Sequence, residues 1–155
     1  MRPRKLTASD VCEVTGYGRD QFKALLKEMK TLPAAPGQRV AREFSAHDLI
    51  VLSVVHVLDV RIGIRRKNIA LLLPQLRDVL FRPRAVDRSA YVAISFDPLQ
   101  VEYISGKAVL RESVLVSLQP IFDRVDQYLG AVQPRNMAQE SLRLGAGLVR
   151  SRKRR

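Results

Sequence analysis

Gly16 and Gly18 stand either side of a single tyrosine, and this pair limits what the N-terminal half can become. Glycine reaches positive φ without a steric penalty, so two of them in three residues make a tight turn between helices. Upstream, Ala8 to Val14 reads as a short helix with Val11 and Val14 inward, capped by Thr7 or Ser9. Downstream, Phe22, Leu25, Leu26 and Met29 fall on one face of a helix over Arg19 to Lys30. Arg19, Gln21, Lys23, Lys27 and Lys30 are left on the other. Two short helices joined by a glycine turn, the second with a basic polar face, outline a helix-turn-helix.

Residues 31–44 follow as short flanks around a Pro36-Gly37 turn, a small hairpin or wing with Arg39 and Arg42 near its tip and returning arm. Ser45 and Asp48 are placed for a capping box, and the helix they start is apolar nearly all round as far as Asp59. Such a helix belongs at the centre of a core or in an interface. A break is expected over 61–64, then a helix from Arg66 to Phe81 with Ile69, Leu72, Leu73, Leu76 and Leu80 inward. Pro74 inside it should kink it or start a new turn.

After the polar connector 82–88 the period changes from helical to alternating. Strands are expected at Tyr91–Phe96 and Leu99–Ile104, with Asp97-Pro98 turning between them. Ser113–Leu118 reads as a third strand in preference to a helix start, because Pro120 suits the first turn of a helix better than its interior. A last helix, Pro120 to Leu129, would end at Gly130. The fold expected is mostly α with a small β component: a winged helix-turn-helix over 5–81, a strand-rich dimerisation or partner module over 89–130, and a basic, mobile tail over 131–155.

Composition narrows the chemistry. The 155 residues are 46% hydrophobic and 27% charged, which suits a folded chain and not a disordered one. Twenty-seven Lys and Arg against 15 acids leave +12, and such an excess selects a polyanion as partner. A lone cysteine, Cys12, excludes an internal disulfide and reads as a small buried hydrophobe. His47 and His56 are nine apart and share no helix face in the manner of a zinc pair, and His56 reads as a core or interface residue. No phosphate-cradling glycine loop or nucleophile elbow occurs, so the expectation is a binding protein with no catalytic residues, metal or cofactor. No apolar run follows the basic N-terminus, and the longest, Leu49 to Val60, falls far short of the ~20 residues that span a bilayer. A cytoplasmic protein without a membrane partner is therefore expected.

The candidate DNA contacts are Tyr17, Arg19, Asp20, Gln21 and Lys23 around the turn, Arg39 and Arg42 in the wing, and Arg65, Arg66 and Lys67 at the start of the fourth helix. Arginine suits guanine and glutamine suits adenine in the major groove, while wing and helix-start cations suit phosphates. Arg42 has an alternative role, pairing with Glu43 or Asp48 to brace the wing.

The order of these features resembles the MerR family of winged helix-turn-helix regulators. Thr15-Gly16-Tyr17-Gly18-Arg19 is similar to the family's turn before its recognition helix, Arg42-Glu43-Phe44 to its Arg-x-Tyr after the wing, and Ser45-Ala46-His47-Asp48-Leu49 to its Ser-x-x-Asp-Leu. Val60-Arg61-Ile62-Gly63-Ile64 is similar to its Arg-x-x-Gly join. The chain departs from the family at Phe22-Lys23-Ala24-Leu25-Leu26, which lacks the usual backbone-contacting aromatics, and in having strands where the long dimerisation helix would follow. The resemblance covers about residues 5 to 80 and implies sequence-specific binding of double-stranded DNA by a transcriptional regulator. A homodimer is expected, since one short recognition helix buries little surface. A small-molecule effector is not identified by the sequence. The alternatives are a protein-interaction module that has lost DNA contact, and an excisionase-like architectural protein.

Overall fold

A computed structural model describes residues 5–29, 42–84, 87–106 and 111–132. These comprise helices α1 (Ala8–Thr15), α2 (Arg19–Glu28), α3 (Ala46–His56) and α4 (Arg66–Phe81), strands β1 (Tyr91–Phe96), β2 (Leu99–Ile104) and β3 (Val114–Ser117), and helix α5 (Gln119–Val132). A π-helical turn, Val57–Ile62, prolongs α3. The architecture is mostly helical with one small antiparallel sheet of strand order β2-β1-β3. The expected wing hairpin lies almost wholly outside the described residues, and so do Lys30, Arg39 and the basic tail after 132.

Local chemistry accounts for the helix ends. Asp10 accepts hydrogen bonds from the Thr7 N–H (2.6 Å) and hydroxyl (2.7 Å), fixing the first turn of α1. Gly16 ends that helix at φ 87°, and its N–H reaches the Cys12 carbonyl at 2.9 Å. At α3 the capping box is reciprocal: the Asp48 N–H donates to Ser45 Oγ at 3.1 Å, and the Ser45 N–H donates to Asp48 Oδ2 at 2.8 Å. Leu6 pairs with Phe44 in a single antiparallel bridge, so the chain entering α1 lies beside the chain entering α3.

Three sequence expectations are corrected. The third helix does not stop at Asp59; it stays helical to Ile62 by widening into the π turn, and Gly63 (φ 80°) ends it. Gly130 does not end the last helix, which runs on to Val132. Most consequentially, the two halves expected to form separate domains share one hydrophobic core. α3 is its axis, with Leu49, Val51, Leu52, Val54 and Val55 all buried. α1, α4 and α5 pack around α3, α2 packs against α1 and α4, and β2 rests on α4. Val92, Ile94, Val101 and Val116 carry the inner sheet face into the same core as Phe22 and Leu25. Pro74 sits within a continuous α4, on its exposed side. Among the described residues no helix is long and apolar enough to cross a membrane.

Candidate nucleic-acid interface

The α1–α2 turn is built from below. Gly16 adopts the left-handed conformation, Tyr17 drops into the core, and Gly18 starts α2 in extended backbone. The Gly18 N–H, unpaired within the helix, donates to Gln21 Oε1 at 3.2 Å. With Phe22 and Leu25 inward, α2 turns Arg19, Asp20, Gln21, Lys23 and Lys27 outward, all exposed. None of Arg19, Lys23 and Lys27 has an ion-pair partner among the described residues.

Two of the sequence-derived candidates are placed differently. Tyr17 is 3% exposed, and its hydroxyl donates to Asp59 Oδ2 at 3.1 Å while its ring meets His56 edge-on at 4.6 Å. Burial, reinforced by the Asp59 charge, pushes its pKa well above the ordinary tyrosine value, so the phenol stays protonated. It supports the turn from inside and does not reach an outside partner. Arg66 is also an internal brace. Its guanidinium spans Asp59 (3.1 Å) and Glu28 (3.5 Å), tying the start of α4 to the end of α2 and to the π turn. Burial works against that charge, but the two carboxylates outweigh it and raise the arginine pKa.

Arg65 and Lys67, either side of Arg66, are exposed at the beginning of α4. Because Arg66 holds that end of α4 against Glu28, the two cations sit beside the C-terminal end of α2. Arg42 is half-buried and does not brace the wing through the acids considered for it. Glu43 is taken by Lys5 at 2.6 Å and Asp48 by Arg77 at 2.6 Å. Arg39 lies outside the described residues. The described candidates thus separate into exposed cations on α2 and at the α4 start, and an internal network of Tyr17, Asp59 and Arg66 that holds those helices in register.

Sequence reasoning missed Asp59 and Glu28 as the acids of that network. The π turn is the reason for the first, since one wider turn changes which face a residue occupies and no apolar period records it. Cys12, expected to be buried, packs against the core but is only half-buried, and burial raises its thiol pKa despite the opposing charge of Arg19. Among the described residues no three His, Cys, Asp or Glu side chains converge in a way that could hold a metal ion. Comparison of the sequence with protein-family models and with curated proteins finds no match.

Proposed function

We propose that this chain is a dimeric, sequence-specific regulator that binds duplex DNA, with 5–81 acting as a winged helix-turn-helix and α2 as its recognition helix. The observation that carries the reading is the concentration of exposed cations on α2 and at the start of α4. Arg19, Lys23, Lys27, Arg65 and Lys67 are all exposed and have no ion-pair partner among the described residues. A set of unmatched cations around a short, rigidly seated helix is suited to a phosphate backbone, which provides the missing anions.

In this reading the N-terminal turn of α2 enters the major groove. Arg19 reads guanine, Asp20 accepts from a cytosine amine, and Lys23 and Lys27 hold phosphates on the flank. Gln21 already caps Gly18 through its Oε1, leaving its amide N–H groups as the contacting atoms. Arg65 and Lys67 clamp the backbone where α4 begins.

The test is duplex affinity across a salt series for the wild type and an Arg19→Ala/Lys23→Ala variant. Loss of the base-reading Arg19 should weaken binding and relax specificity, and loss of the phosphate-holding Lys23 should make the slope of log K against log salt shallower by about one. Wild-type affinity that is absent at low salt, or indifferent to both substitutions, rules the reading out.

A further inference from the structure

The two edges of the sheet differ. At the β2 edge Gln75 of α4 reaches across: its Oε1 accepts the Val101 N–H at 3.1 Å, and its amide donates to the Leu99 carbonyl at 3.5 Å. The opposite edge is β3. The Leu118 N–H meets the Ala90 carbonyl at 3.0 Å, so the hydrogen-bonded pairs of the β1–β3 ladder are Ala90 with Leu118, Val92 with Val116 and Ile94 with Val114. The main-chain N–H and C=O groups of Ser113, Leu115 and Ser117 therefore point away from β1, and they have no partner among the described residues.

An open edge is a template for another strand, and folded chains ordinarily blunt it with a charge, a proline or a bulge. Ser113 to Leu118 contains no charged residue and no proline, and the register of β3 on β1 is unbroken. This is a neutral stretch in a chain of net charge +12, whose copies otherwise repel one another. The edge also matches itself: Ser113-Val114-Leu115-Val116-Ser117 reads the same in both directions. Two copies laid antiparallel about a two-fold axis at Leu115 set Ser113 opposite Ser117, Val114 opposite Val116 and Leu115 opposite Leu115. Hydrogen-bonded positions alternate along an antiparallel pair, and in this register they fall on Ser113, Leu115 and Ser117, the residues whose main-chain groups are free. Leu115 is 41% exposed on the outer face and Val114 is half-buried on the inner, so each face keeps apolar surface for a second copy to cover.

We propose that β3 is the dimer interface of this protein. Two copies pair antiparallel through Ser113–Ser117 and join their sheets into one, of order β2-β1-β3-β3-β1-β2. The palindrome and the matching hydrogen-bond register select a second copy of this chain over an unrelated strand. The interface serves the dimer of the DNA-binding reading and in that respect rests on it, although strand pairing itself needs no duplex.

Sedimentation equilibrium of the full chain over a wide concentration range, without DNA, tests the proposal. The variants are Leu115→Lys, Leu115→Pro and, as a control, Leu71→Lys, which puts the same charge on an exposed leucine of α4. The Leu115 side chain lies outside the core and its N–H takes no part in the β1 ladder, so each variant should keep the wild-type circular dichroism spectrum. The wild type should be a dimer, and both Leu115 substitutions should raise its dissociation constant by about tenfold or more, while the control leaves it unchanged. Register is read by cysteine trapping in a Cys12→Ser background, since hydrogen-bonded Cα atoms lie about 5.5 Å apart, within disulfide reach. Leu115→Cys should link to itself; Ser113→Cys should not, but should link to Ser117→Cys. A dimer that binds no duplex keeps the interface and removes the DNA reading, and a duplex-binding chain that stays monomeric does the reverse. A wild type monomeric at every concentration, a dimer indifferent to both Leu115 substitutions, or self-linking of Ser113→Cys in preference to Leu115→Cys overturns the proposal and leaves the edge to a strand of another protein.

Discussion

His56 sits where three constraints meet. It closes the end of α3, its ring packs edge-on against Tyr17, and it lies directly beneath Gly16. Burial, Arg61 and Arg124 all favour its neutral form, and only Asp59 favours the cation. The folded pKa therefore lies below the ordinary 6.5 that the unfolded chain retains. Protons then bind preferentially to the unfolded state as pH falls through that ordinary value, so stability is full above it and declines below it. Urea unfolding midpoints should drop between neutral pH and about pH 5, and a His56→Gln variant should lose part of that dependence. An unchanged pH profile in the variant would show that His56 does not contribute. Tyr17 teaches a related lesson about legibility. Its position between two glycines marks a turn, but no sequence pattern reveals that the ring folds inward to meet Asp59, forty-two residues later.

The helices differ in how readily they could be read. α2 and α4 were legible because their apolar residues recur at helical spacing, and the observed α4 bounds are those expected. The three strands were legible from alternation and from the turn at Asp97-Pro98. The end of α3 was not, because a π turn inserts its extra residue without any compositional mark. The start of α3 was, since a Ser-x-x-Asp box carries its own hydrogen-bond logic. Ser45→Ala removes the acceptor for the Asp48 N–H and one donor to its carboxylate, and should cost about 1 kcal/mol of stability in chemical denaturation. The loss stays near that value because Arg77 still holds Asp48 at 2.6 Å. A much larger loss would mean that the cap, and not packing, positions the axial helix.

The C-terminal half contributes to the same hydrophobic core as the N-terminal half. A separate module after the connector was the natural reading of a composition shift at 82–88, but period and composition do not reveal which faces meet. Ile121, Val125 and Leu129 on α5 pack into the core that α1 and α3 build, and Tyr128 reaches Asp10. Ile121→Ala should therefore cost about 2 to 5 kcal/mol and lower the midpoint of one transition, seen alike by circular dichroism and tyrosine fluorescence. Two separated transitions would restore the two-domain picture. Packing of α2 against α4, with Arg66 paired to Glu28, sets the spacing of the exposed cations on the two helices, and groove recognition requires such a set spacing. That requirement is best examined by mapping a bound duplex on the protein by NMR. Perturbations should centre on Arg19, Gln21, Lys23, Arg65 and Lys67, with the outer sheet face around Ala93 and Leu115 silent. Perturbations confined to the sheet, or none at all, would contradict the assignment of α2 as the DNA-reading helix.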